Sequence, residues 1–445
     1  MISVALPDVL DDLDAPLRWV GWVITIFTLM QAVSMPIAGK LSDELGRRNV
    51  FAVGMGLFVA SSLICAVSPN VAVLIAARAL QGISAGALIT SAYGIVGEAF
   101  GDGRAQAVGL LSSIFAMGQV AGPNFGGLVV DSFGWRYTFL LNVPLGLAVV
   151  AGAVILMRPG VRPKSGSIDL AGAGLLAAAV TAGIFALTEM AQTTVRPNML
   201  LIAGSFVAAG VLGYLFIRRE GRIAEPIIDL QLLKQRDFLY VNVLDFFYGV
   251  AFLGFVAFVP LYAATAYNMG PTETGLLMTP RALLVLAASA LTSLFLARTG
   301  YRKPLAIGFV LLTITLVVLS FGIHPDDLDR LGISGFLFLA AVVGVSGAAL
   351  GVSNPATINM AIELAPERIA AITGLRGMFR LCGAALGTAV IVLVASRAPT
   401  TAQGLEYSFM GLAVVTVLLL PLVRLVPDGR GGPGKSGSGS RTQED

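Results

Sequence analysis

One histidine and two cysteines are all that this chain of 445 residues offers of the usual metal- and redox-active side chains. Cys65 and Cys382 sit far apart, each inside an apolar run, which rules out a disulfide framework and leaves a metal site or a histidine-based triad almost no material. The histidine, His324, precedes Pro325 in a polar segment. Charge is scarce too: Asp, Glu, Lys and Arg make up 12% of the residues, with 29 basic against 26 acidic. The cations are spread through short polar segments instead of forming one patch, so nothing points to nucleic acid as a partner. No basic segment and small-residue cleavage pattern mark a signal peptide at the start.

What the chain has in quantity is hydrocarbon. Hydrophobic residues are 56% of the sequence and the mean hydropathy is +0.85, values that belong to polytopic membrane proteins and not to soluble domains. The apolar stretches are continuous, not alternating, which excludes a β-barrel and leaves helices. At about 20 residues per crossing, this length holds roughly 12 to 14 of them. The sequence predicts crossings over 18–38, 50–66, 72–96, 105–130, 138–156, 170–187, 199–217, 238–264, 274–296, 305–321, 332–360, 370–395 and 407–426. Residues 1–7, MISVALP, are too few to span and read as the end of a further helix. Either the true start lies upstream or half a helix has been lost. An acidic loop with Asp8, Asp11, Asp12 and Asp14 follows. With this order, Lys and Arg fall in the predicted cytoplasmic segments over the outer ones by about four to one, as the positive-inside rule requires.

The segment around which the crossings are ordered is GKLSDELGRR, residues 39–48, read as a short cytoplasmic loop between antiparallel helices. Lys40, Arg47 and Arg48 hold that end inside. Gly39 and Gly46 allow tight turns, and Asp43 can pair with a cation or accept from a helix N-terminus. An ordinary positive-inside loop is the alternative. ARTGYRK at 297–303 repeats the pattern weakly, with Gly300 for Gly46, Arg302 for Arg48 and Ala297 for Asp43. Paired halves are a transporter signature, with the substrate site between them near the midplane. The domain reading is an N-terminal half at 1–157 with a partial first helix, two extra helices at 158–217 and a cytoplasmic linker at 218–237. A C-terminal half at 238–427 and a Gly/Ser-rich tail at 428–445, predicted disordered, complete it.

A few polar residues fall inside the crossings. Arg78 lies roughly 10 Å from the outer end of its helix, among Gln81, Gly82, Ser84 and Gly86. A charge at that depth usually faces a cavity or a partner, and snorkelling is the alternative. Asp245, in YVNVLDFFYG, is the only carboxylate well inside a crossing. A carboxyl group held in hydrocarbon can take up a proton and return it to water, as coupling to a proton gradient requires. A structural pair with Arg376 or Arg380, four apart on one helix face, explains it equally well. Arg281 is nearer the outer surface and reads as snorkelling. In GQVAGPNFGG, Pro123 bends a helix while Gly118, Gly122, Gly126 and Gly127 present a smooth stripe to a neighbour, as seal, hinge or plain packing. Trp22, Gln31, Asn142, Phe246, Tyr248 and Asn354 are candidates for lining an amphipathic cavity.

These stretches together resemble the major facilitator superfamily, in particular its fourteen-helix drug–proton antiporter branch. GKLSDELGRR resembles the family's motif A, with Glu44 where an arginine is usual. RALQGISAG at 78–86 resembles motif B, whose arginine is implicated in proton transfer. GQVAGPNFGG resembles motif C, typical of exporters. WRYTFLLNVPLG at 135–146 and SVALPDV at 3–9 resemble that branch's entry into its sixth helix and the end of its first-helix motif. That first-helix motif carries an aspartate just upstream of the stretch beginning at Ser3, a position this sequence does not contain. The resemblance implies an all-α major facilitator fold of two six-helix halves plus two extra central helices, here about 13 full crossings and a partial first helix. It implies proton coupling through Arg78 and Asp245, and a cytoplasmic gate at Gly39, Asp43, Gly46, Arg47 and Arg48, with Asp43 set against the start of the 370–395 helix and Arg376. The function it implies is a monomeric, multi-pass cell-membrane exporter of amphipathic small molecules, cationic ones among them, driven by a proton gradient without a cofactor. A dedicated exporter of an endogenous metabolite or lipid is the first alternative, and a transport-inactive sensor or scaffold is the second. An enzyme is not expected, since no nucleophile–base pair is visible.

Overall fold

The structure is a computed structural model that describes residues 5, 8–9, 12–14, 17–100, 104–157, 169–190, 198–223, 235–330, 332–364 and 369–426. The side chains of Asp43 and Pro123 lie outside that description, as do the tail at 428–445 and most of the linker expected at 218–237. Among the described residues nearly all are helical. This follows from the apolar runs, because a backbone in hydrocarbon has only its own carbonyls to bond.

The first six helices are α1 Leu17–Leu45, α2 Arg47–Ala66, α3 Val71–Ala99, α4 Arg104–Phe133, α5 Arg136–Leu140 and α6 Asn142–Leu156. Then come α7 Leu170–Met190 and α8 Met199–Glu220. α9 Arg236–Tyr248 passes through a π-helical turn, Gly249–Leu253, into α10 Gly254–Tyr267. α11 Pro271–Thr299, α12 Arg302–Ser320, the short α13 Pro325–Asp329, α14 Gly335–Leu364, α15 Ile369–Arg397 and α16 Thr401–Leu419 complete the order. Side-chain caps fix several starts: Asn70 accepts from the Val73 N–H (3.0 Å), Asn198 from Leu201 (3.2 Å) and Thr400 from Gln403 (3.2 Å). Eleven helical segments among the described residues are long and apolar enough to cross a membrane; the apolar part of α7, Ala171–Leu187, is shorter. α4 is a further helix of 30 residues.

The segment expected as a loop at 39–48 is mostly helix. α1 runs on to Leu45 and α2 begins at Arg47, with Gly46 alone between them. Gly46 has φ +88°, which a side chain would strain. The polar residues after Ala38 thus continue α1 instead of ending it.

Helix packing repeats between the two parts of the chain. α1 packs on α3, α3 on α2, and α2 on α6; in the same way α11 packs on α14, α14 on α12, and α12 on α16. Among the described residues the main contacts between the parts are α1 with α15 and α4 with α11, with a smaller one between α3 and α15. α7 lies against both α1 and α15, where Trp22, Ile26, Leu29, Ile184 and Ala385 share one apolar cluster, and α8 packs on α7. The largest core belongs to the second part, around Tyr248, Phe252, Phe309 and Phe409. At the end of the first part away from Gly46, Ala5 and Val9 pack with Val23, Leu74 and Trp135. There Asp12 accepts from Trp135 Nε1 (3.1 Å) and pairs with Arg136. Large side chains such as Leu200 and Leu294 stay exposed, as expected of a surface that faces lipid.

Candidate functional site

The deepest polar cluster is built where α9 meets α15. The two helices approach backbone to backbone: a Cβ on Gly249 would overlap the Arg380 carbonyl, one on Gly383 the Phe246 carbonyl, and one on Gly387 would lie 2.6 Å from the Val250 carbonyl. Small residues permit this approach. It places Asp245, fully buried, between two arginines of consecutive turns of α15. Arg376 Nε donates to Asp245 Oδ2 at 2.6 Å; Arg380 donates to Oδ1 from Nη2 at 2.7 Å and from Nε at 3.2 Å. Thr357 Oγ1 on α14 accepts from Arg376 Nη2 (2.6 Å) and Arg380 Nη2 (3.0 Å), and Asn354 Oδ1 accepts from Arg380 Nη1 (2.9 Å). The Arg380 guanidinium lies 4.5 Å from the centre of the Tyr248 ring, and the Tyr248 hydroxyl bonds Ser353 Oγ at 3.0 Å. Asp245, Arg376 and Arg380, with the cavity candidates Tyr248 and Asn354, therefore form one network. Phe246 is half-buried beside Phe247, with ring centres 5.4 Å apart.

Arg78, on α3, is buried as well, so it does not snorkel. Its Nε donates to the Val23 carbonyl of α1 (3.1 Å) and its Nη1 to Gln81 Oε1 (2.5 Å); Gln81 Nε2 donates in turn to Ser62 Oγ of α2 (2.7 Å). The guanidinium lies 4.0 Å from the Phe27 ring centre, a cation–π contact. No described carboxylate pairs with it. Arg281 is likewise buried, at 4% exposure, which corrects the snorkelling expectation: its position faces the packed contact of α11 with α14, not the lipid.

At the Gly46 end of the helices, Arg47 donates to the Gly94 carbonyl near the end of α3. Arg48 donates to the carbonyls of Ala153 (3.3 Å) and Val154 (2.6 Å) in the last turn of α6. A cation at a helix C-terminus is favoured by the helix dipole. The second part repeats this arrangement: Gly300 has φ +68°, and Arg302 Nε donates to the Val426 carbonyl (2.7 Å) just past α16. Gly39 lies inside α1. The side chain of Asp43 lies outside the described residues, and with it the gate contact expected of it. Arg376, the partner the resemblance implied for it, is engaged by Asp245 and Thr357. Where α1 meets the start of α15, a Cβ on Gly377 would come within 2.9 Å of Met35 Sδ.

At the end away from Gly46 the α4–α11 contact holds part of GQVAGPNFGG. Gly126 and Gly127 are buried, and a Cβ on Gly127 would lie 2.9 Å from the Pro271 carbonyl. Thr279 Oγ1 donates to Asn124 Oδ1 (2.9 Å), and Thr272 bonds Asp131. The glycine stripe does not run the whole way. Gly122 is half-buried, and Gly118 is exposed with nothing within 4 Å of a Cβ, because it lies two turns below the crossing. Of the remaining cavity candidates, Trp22 packs on Phe185 of α7 (ring centres 6.3 Å apart). Gln31 is half-buried in α1, and Asn142 opens α6, whose packing partner is α2. The structure does not bring these three to the Asp245 network.

A family model for the Major Facilitator Superfamily matches residues 1–217 and 242–443. The chain belongs to the Major Facilitator Superfamily. It is 28% identical over 399 residues to the multidrug transporter protein MdtP of Bacillus subtilis, covering 88% of this chain and 71% of that one. It is 31% identical over 403 residues to the tetracenomycin C resistance and export protein of Streptomyces glaucescens, covering 89% and 73%. The crystal structure of the human organic anion transporter MFSD10 (TETRAN) superposes with a TM-score of 0.61 over 95% of this chain and 89% of that one, at 15% identity, which shows the shared fold. The protein is thus a multi-pass membrane transporter of this superfamily.

Within this superfamily fold, sequence reasoning did not find Thr357 and Ser353, the hydroxyls that complete the Asp245 network. Both sit on α14 at small-residue positions that read as packing. The π-helical turn after Tyr248 was also missed; Gly249 and Gly254 at its two ends were its only sequence signal.

Proposed function

We propose that the protein exports amphipathic small molecules across the cell membrane in exchange for protons, by alternating access between two six-helix halves. The observation that carries this reading is the Asp245 network: an ionisable carboxylate enclosed in hydrocarbon and held by α15, the helix that also packs across to α1. Protonation of Asp245 would loosen its hold on Arg376 and Arg380, and so couple proton uptake to the position of α15. Arg78 ties α1, α2 and α3 and would serve the corresponding role in the first half. The names of the relatives, a multidrug transporter and an export protein, support outward drug transport. In this reading the halves are 1–157 and 238–427, with α7 and α8 inserted between them and the 218–237 segment as a cytoplasmic linker. The proton gradient is the driving force, no cofactor is used, and the monomer in its bilayer is the working unit.

Vesicles containing the reconstituted protein should redistribute a lipophilic dye when a pH difference is imposed. Arg78→Ala should abolish this while the protein still elutes as a folded monomer; unchanged transport by that variant removes Arg78 from the coupling. A second reading, export of a single endogenous metabolite, is favoured by the relative named for one compound. It predicts a narrow substrate profile in the same vesicles.

A further inference from the structure

Resting on the export reading above, we propose that the transported molecule is an organic anion, with Arg281 as the residue that meets its carboxylate, sulfonate or phosphate group. The charges inside the membrane do not balance. Asp245 is shared by Arg376 and Arg380, which leaves one positive charge over. Every other described carboxylate on a spanning helix lies within two turns of that helix's end. Arg281 adds a second charge about 15 Å below the outer end of α11. Among the described residues it forms no ion pair and no hydrogen bond, and its Nε is buried without a partner. A charge held this deep in a membrane protein is costly, and such groups pair or line a substrate path. Arg78 differs, because a carbonyl, an amide and an aromatic face satisfy it.

Arg281 packs its backbone against Gly347 of α14, the helix that also carries Ser353, Asn354 and Thr357 of the Asp245 network. The unpartnered arginine and the surplus charge of the Asp245 network thus both border α14. An anion there would take the donors of Arg281 in a two-oxygen grip and cancel the excess. A cation would add to it and meet the full repulsion in a low-dielectric site.

The test uses the full chain in proteoliposomes under an imposed pH gradient, with carboxyfluorescein as the anionic probe and rhodamine 6G as the cationic one. Saturable movement of carboxyfluorescein is expected. Arg281→Gln should raise its KM by about tenfold or more, the loss of one charge-assisted contact. Arg281→Lys keeps the charge without the fork and serves if Arg281→Gln fails to fold; its KM for carboxyfluorescein should also rise. Transport of rhodamine 6G without carboxyfluorescein overturns the anion proposal and leaves the export reading standing. An unchanged KM in either folded variant overturns the role of Arg281. Movement of neither dye overturns the export reading and this one with it.

Discussion

Replacing Asp245 with asparagine keeps the shape of the side chain and removes the one charge that two buried arginines share. The amide oxygen of the variant would remain an acceptor for one arginine. Toward the other, the amide would present an N–H2 group to a guanidinium donor where the native atoms are 2.6 Å apart. Breaking a buried ion pair from one side costs about 3–5 kcal/mol, since the partner charge is left uncompensated. Here two guanidinium groups lose their counter-ion, so the upper part of that range is expected, a change of about 10³ in the folded-to-unfolded ratio. Denaturant-titrated unfolding in detergent measures it. The double variant Asp245→Asn with Arg376→Gln should recover part of the loss, with a coupling of about 1 kcal/mol or more between the two sites. In proteoliposomes, gradient-driven dye movement should fall further than dye exchange at equal pH, because only the first needs a proton carrier. If Asp245→Asn unfolds within about 0.5 kcal/mol of the wild type, the size of an ordinary surface change, the network contributes no such stability and the reasoning fails.

Two further outcomes follow from named contacts. Gly127→Ala should destabilise the protein by about 1–3 kcal/mol through overpacking against Pro271, whereas Gly118→Ala, with open space around it, should stay within about 0.5 kcal/mol; thermal unfolding of the two variants side by side checks this. Asp169 caps α7 through the Gly172 N–H (2.9 Å) and pairs with Arg219 (2.8 Å), and that guanidinium holds its carboxyl below the usual carboxylate range. A depressed folded value means that the pair stabilises the protein above the unfolded aspartate pKa of about 3.9 and loses this as pH falls through the folded value. Asp169→Asn should cost about 0.5–1 kcal/mol at pH 7, with a partly exposed arginine as its partner, and should flatten the acid limb of the pH–stability curve.

How much is legible in the sequence depends on what hydropathy can report. A run of apolar residues states its own length, so the crossings and their order can be read directly. The glycine turn at Gly46 and its counterpart at Gly300 are legible as well, because φ +88° and φ +68° leave little other choice of residue. Rotation about the helix axis is not legible. In a helix that is apolar on nearly every side, sequence spacing does not say which face meets protein and which meets lipid. Arg281 therefore reads as reaching for water when it is enclosed, and Gly118 reads as part of a contact it does not make. The pairing of Asp245 is half legible: the spacing of Arg376 and Arg380 names them as partners, but the sharing of one carboxylate by both emerges only once α9 and α15 are brought together. The short polar end of α1 reads as a loop because hydropathy falls after Ala38, while the helix runs on to Leu45.

The distribution of strong and weak contacts has a mechanical meaning. Arg47 and Arg48 fasten the first helical block to itself, Arg302 does so for the second, and Asp245 locks α9 to α15 inside that same block. Along the seam, the described contacts include a methionine against glycines, Gly127 against Pro271, hydroxyls on Asn124 and Asp131, and the apolar cluster around Trp22 and Leu29. In the proposed alternating-access cycle, sliding one block over the other would break none of the ion pairs described above. Among the described residues, the ion pairs named here lie within each block, and the seam is held by packing and hydroxyl contacts.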